Sequence, residues 1–187
     1  MNAESDFSRE TSARVASNQR ANVSFIGVGN RYRRDDGVGP EMVERLAARR
    51  LPQTRSLHAT GEGAKLLEMM KGREVVYLFD AVCSGARPGS IFRFQAPKQT
   101  VPARFFSYST HAFSVAEAIE LGRTLNQLPR QLIVYGIEGE DFGAGLGLSK
   151  EVEISVDGVV KSVLAELGAL GKAGSDQGHF ISCGRME

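Results

Sequence analysis

The sequence predicts an α/β fold of three layers (α/β/α): a twisted, mostly parallel sheet of about five strands with helices on both faces. Three observations carry this. Short apolar runs alternate with stretches of helical periodicity through the middle of the chain. Two of those runs, Val75-Val76-Tyr77-Leu78-Phe79 and Leu132 to Ile137, are continuously apolar, rich in β-branched and aromatic residues, as strands covered on both faces are. The chain has 187 residues, 42% hydrophobic and 24% charged, which suits one domain that needs no disulfide or metal staple.

The elements follow in order. Residues 1–20 are polar and mixed in charge, and are expected to be a disordered extension. They lack the apolar core of a signal peptide, and Glu4, Asp6 and Glu10 are too acidic for a transit peptide. Residues 21–170 are expected to form a single domain. Asn22 to Val28 reads as a buried strand closed by glycines. Val38, Met42, Val43, Leu46 and Ala47 recur at helical spacing, and Pro40 places the start of that helix near Gly39. Ser56 to Thr60 is a second, weaker strand, and Ala64 to Met70 a short helix. After the strand at Val75–Phe79, Ser90 to Gln95 alternates like an edge strand. Ala112 to Leu125 reads as a helix, followed by the strand Leu132 to Ile137. Val152, Val156, Val159, Val160, Val163, Leu164 and Leu167 form the apolar stripe of a last helix, with Ser149 as its N-cap. Residues 171–187 are polar and are expected to be a flexible tail.

Composition removes several classes of function. Lys+Arg is 23 against 22 Asp+Glu, a net charge of +1, so neither a nucleic-acid surface nor a polybasic membrane patch is expected. No run approaches the ~18 apolar residues of a membrane span. Cys83 and Cys183 are isolated, which favours a reducing compartment and a cytoplasmic protein.

In open α/β sheets, ligands bind beyond the carboxyl ends of the strands. The first strand leads into Gly27-Val28-Gly29-Asn30-Arg31-Tyr32-Arg33-Arg34-Asp35-Asp36-Gly37-Val38-Gly39. A dinucleotide fingerprint fails there, because Tyr32 stands where a glycine is needed and no acid ends the second strand. A phosphate loop fails at Gly61-Glu62-Gly63-Ala64-Lys65, which lacks the spacing and the Ser/Thr. Asp35 and Asp36 stand before a helix, where one acid could simply cap it. Asp80 directly follows an apolar run. A carboxylate buried there is costly unless it is paired, ligated or bonded to the N–H groups of the following loop. His111 starts a helix, where it could bond to backbone. Together, two carboxylates and one imidazole at a single sheet edge could hold a divalent ion. No H-E-x-x-H, C-x-x-C or G-x-S-x-G motif offers another chemistry, and Cys83 is more simply a packed thiol than a nucleophile paired with His111.

Several pieces then match in order. They are Gly27-Val28-Gly29-Asn30 with Asp35-Asp36-Gly37-Val38-Gly39, Asp80-Ala81 with Pro88-Gly89, Ser109-Thr110-His111, Val134-Tyr135-Gly136-Ile137-Glu138, and Gly147-Leu148-Ser149. In these the chain resembles the nickel-iron hydrogenase maturation endopeptidases. The resemblance implies an enzyme that removes a short C-terminal extension from the hydrogenase large-subunit precursor once nickel is inserted. It implies that Asp36, Asp80 and His111 are metal ligands and catalytic residues, supported by the loop residues Gly27, Gly29, Asn30 and Asp35. In some members the first ligand is Glu, so Asp36 is one methylene shorter. The nickel is expected to come with the precursor, and another divalent ion could occupy the site in the isolated protein. A monomer is expected. Two other readings stay open: a non-catalytic nickel- or precursor-binding maturation module, and a nucleotide-binding α/β protein.

Overall fold

The alternation of side chains along each strand decides which layer they enter. The computed structural model describes residues 23–60, 62–102 and 115–175. Its strands are β1 (Val23–Val28), β2 (Thr54–Ala59), β3 (Val75–Val82), β4 (Ile91–Gln95) and β5 (Gln131–Glu138). Its helices are α1 (Val38–Ala47), α2 (Gly63–Met70), α3 (Val115–Thr124) and α4 (Lys150–Ser175). A single 3-10 turn, Arg34–Gly37, joins β1 to α1.

The five strands form one sheet in the order β2-β1-β3-β5-β4. β1 pairs parallel with β2 and β3, β3 pairs parallel with β5, and the edge strand β4 runs antiparallel to β5. On one face, Phe25, Tyr77, Phe79, Ile133 and Tyr135 pack against Val38, Met42, Val43 and Leu46 of α1 and Val152, Val156, Val159 and Val163 of α4. On the other, Ile26, Val76, Leu78, Leu132 and Val134 meet Leu66, Leu67 and Met70 of α2 and Ala118 and Ile119 of α3. The expected three-layer α/β fold is therefore present. Side-chain bonds tie α4 down on its face. Arg45 of α1 bridges Glu153 and Asp157, and Glu166 accepts hydrogen bonds from Tyr77, Arg93 and Tyr135 on three different strands.

Some boundaries differ from expectation for identifiable reasons. β2 starts at Thr54, because its register with β1 opens at Val23 opposite Thr54. Of the expected helix Ala112–Leu125, the described part is Val115–Thr124. β3 does not end at Phe79. Its pairing with β1 stops there (Gly27 opposite Phe79), but its pairing with β5 continues through Val82 opposite Glu138. Asp80 therefore lies inside the strand, opposite Gly136, with β1 already gone from its other side. Ser149 does precede α4, and its carbonyl accepts the Glu153 N–H at 2.9 Å. Its buried hydroxyl, however, has no hydrogen-bond partner, so the cap is a backbone one.

The site edge exists because α1 can start directly on the sheet. A Cβ built on Gly39 would lie 2.2 Å from the Val28 carbonyl oxygen and 2.6 Å from that of Phe79. One on Gly27 would lie 2.2 Å from the Gly39 carbonyl oxygen. All these neighbours are backbone, which cannot swing aside. Gly39→Ala should therefore destabilise the protein by about 3 kcal/mol, the upper range for overpacking. Gly158→Ala, on the exposed face of α4 with nothing within 4 Å, should instead stabilise it by about 0.5–1 kcal/mol through helix propensity. Urea denaturation of the two variants checks both signs.

Candidate functional site

β1 ends at Val28 and the chain turns away at Gly29, whose φ of 129° lies where L side chains are rarely found. A Cβ there would also sit 1.9 Å from the Asp36 carbonyl oxygen, so the loop folds back tightly over its own start. Asn30 shapes the return. Its Oδ1 accepts the Tyr32 N–H at 3.0 Å, and its own N–H donates to Asp36 Oδ2 at 3.0 Å. The 3-10 turn carrying Asp35 and Asp36 thus settles over the flank of β3 that β1 has vacated. This is the point between β1 and β3 where the chain's connections diverge to opposite faces of the sheet, the usual crevice of such folds.

The two adjacent acids have different surroundings. Asp35 is fully buried, and its carboxylate is consumed by backbone. Oδ2 accepts the N–H groups of Glu140 at 2.8 Å and Asp141 at 2.9 Å, and Oδ1 accepts that of Ser149 at 2.6 Å. Asp35 therefore does not cap α1; it reaches across to the loop after β5 and the start of α4. Asp36 is only half-buried and faces β3.

Asp80 is 6% exposed. Burial pushes its carboxyl well above the ordinary value of 3.8, the charge of Asp36 pushes it further the same way, and a backbone hydrogen bond at Ala81 opposes both. A carboxylate so placed is poorly solvated and repelled by its neighbour, and a cation between the two acids would relieve both penalties.

His111 lies outside the described residues. Among the described residues no group of three or more His, Cys, Asp or Glu converges as a metal cage; the structure brings together Asp36 and Asp80. Of the expected supporting residues, Gly27, Gly29, Asn30 and Asp35 all lie in or under this loop and shape it. The expectation from sequence assigned no task to Glu138, which is 2% exposed at the end of β5. Its Oε1 accepts the N–H groups of Ser84 and Gly85 at 2.8 Å, and its Oε2 accepts the Ser84 hydroxyl at 2.7 Å. It clamps the turn that follows Asp80. The available signal was the one that singled out Asp80: an acid closing a continuously apolar run.

A family model described as hydrogenase maturation protease matches residues 40–166. The chain belongs to the hydrogenase maturation protease family. The protease is 29% identical over 149 residues to the hydrogenase 2 maturation protease of Escherichia coli, covering 78% of this chain and 90% of that one. It is likewise 29% identical over 156 residues to the hydrogenase expression/formation protein HupD of Rhodobacter capsulatus, covering 80% and 72%. Its fold superposes on the hydrogenase maturating endopeptidase HybD of Escherichia coli with a TM-score of 0.64 at 26% identity, covering 80% and 93%. No helix among the described residues of the protease is long and apolar enough to cross a membrane.

Two measurements follow from the contrast between the acids. Asp35→Ala in the protease would leave three backbone N–H groups without their acceptor and should cost about 3 kcal/mol or more by denaturant titration. Asp80 behaves oppositely. Its folded-state pKa is raised, so the folded protein holds that proton more tightly than the unfolded chain does. The stability this contributes is complete below about pH 4 and is lost as pH rises through the folded value. Without metal, Asp80→Asn should therefore raise the melting temperature at neutral pH and flatten its dependence on pH above about 4. A lower melting temperature at neutral pH would show that the carboxylate is already compensated.

Proposed function

We propose that this protease removes a C-terminal extension from the nickel-loaded large-subunit precursor of a nickel-iron hydrogenase, and that the precursor's nickel is what its site recognises. Asp36, Asp80 and His111 are the protein's ligands to that ion. The observation that carries this reading is the buried Asp80 carboxylate facing Asp36 at the crevice between β1 and β3. Membership of the maturation protease family supplies the reaction class.

The chemistry asked of each residue is modest. Asp36 and Asp80 together carry the two negative charges that balance a divalent ion. Burial of Asp80 means that its interaction with the ion is little screened by water. Imidazole is a good ligand for nickel, so His111 adds selectivity to the two hard carboxylates. An ion so held acts as a Lewis acid on the scissile carbonyl, or lowers the pKa of a bound water to yield hydroxide near neutral pH. A precursor without nickel offers nothing for the acids to grip, so cleavage waits for metal insertion.

The test is incubation of the purified protein with nickel-loaded and nickel-free precursor, with mass spectrometry of the large subunit. Only the loaded form should be shortened; equal cleavage of both would sink the proposal, and cleavage of neither would favour a binding module without activity. Asp80→Asn and His111→Ala should each lose roughly a hundredfold or more in rate, the scale of removing one group that stabilises developing charge. Because Asp80→Asn is expected to be the more stable protein without metal, its loss of activity separates chemistry from folding.

A further inference from the structure

Two exposed apolar side chains stand on the loop that carries Asp36 and on the loop bonded to it. Tyr32 and Leu146 are the most exposed large hydrophobic side chains among the described residues, at 72% and 71%. They come from loops far apart in sequence that the backbone seats side by side. The Tyr32 carbonyl accepts the Gly145 N–H at 2.9 Å, and the Arg34 N–H donates to the Gly145 carbonyl at 3.0 Å. The Asp35 carboxylate holds the same two loops together from beneath. These apolar groups are thus presented on a pinned frame.

Leu146 is also part of the wall of a pocket of about 140 Å³, lined by Arg31, Arg34, Gly37, Glu41 and residues 146–148. Gly37, in the lining, directly follows Asp36, so the pocket lies along the loop that carries the candidate site. Its charges are already matched within the chain: Arg31 with Glu44, Arg34 with Asp141, and Glu41 with Arg45. An uncharged guest leaves each of these pairs intact. What it offers is two leucines and the methylene stems of two arginines. Exposed apolar groups beside a reactive site add nothing to the core and favour contact with a partner.

We propose that Tyr32, Leu146 and this pocket are a specificity subsite that takes one uncharged, apolar side chain of the precursor next to its scissile bond. The inference rests on the maturation protease reading and adds a contact that is independent of the metal. A precursor would then be recognised twice, once by its ion and once by a neighbouring side chain, with Gly37 between the two.

Because the contact does not need the ion, nickel-free precursor is the probe. Its dissociation constant should rise roughly tenfold or more for Leu146→Glu, the scale on which one apolar side chain is discriminated in a pocket, while Leu146→Met stays near wild type. Replacing flanking apolar residues of the precursor by Ser, one at a time, should identify one position that weakens wild-type binding by a similar factor and adds little to Leu146→Glu. An unchanged dissociation constant in Leu146→Glu, or no measurable wild-type binding of the nickel-free form, would overturn the subsite. Position 146 is exposed, so the melting temperatures of both variants should match wild type. Cleavage of nickel-loaded precursor by the wild type tests the underlying activity separately: a binding loss in Leu146→Glu with no cleavage anywhere faults that activity and leaves the subsite standing.

Discussion

The site depends first on one buried anion. Asp35 is closed off from water, and three backbone N–H groups from the other end of the domain replace its hydration. Hydrogen bonds to a charged group are among the stronger contributions in a folded protein, about 1.5–3 kcal/mol each. Through them the loop after β1 is fastened to the loop after β5 and to the first turn of α4. The candidate site hangs on that fastening. Asp36 is held by being the next residue, and the segments carrying Tyr32 and Leu146 run together because the same two loops are joined.

The second constraint is backbone proximity. Gly27 and Gly39 let α1 begin in contact with β1 and β3, so the turn before it lies directly over the exposed flank of β3. The sheet order makes that flank available, since β1 stops pairing at Phe79 while β5 continues to Val82. A carboxylate at position 80 is then within the sheet on one side and within the crevice on the other. Its burial is costly, and that cost is the kind a binding site carries when its ligand is the missing charge.

Three carboxylates are buried among the described residues, Asp35, Asp80 and Glu138. All three lie in the last residues of a buried strand or in the loop beyond one. Two of them are satisfied by hydrogen-bond donors of neighbouring loops and act as fasteners. The third has one backbone bond and a second acid opposite. The near balance of charge in the whole chain conceals this local concentration.

Apolar periodicity was enough to read the layers, the number of strands and the order of elements, because it reports directly which faces leave water. The β-branched runs at Val75 and Leu132 and the valine stripe of α4 needed no further context. The proximity of Asp80 to the acidic loop was likewise within reach, since one closes an apolar run and the other follows an adjacent strand. Other features had no local signature. Whether Asp35 or Asp36 faces the crevice depends on donors 105 to 114 residues away. The extension of β3 past Phe79 follows from its register with β5, and the task of Glu138 follows from a turn 53 and 54 residues before it. The seating of Tyr32 beside Leu146 rests on backbone bonds, which any residues could make. Burial is written into the order of side chains along the chain; partnership between distant hydrogen-bonding groups arises only when the chain has closed on itself.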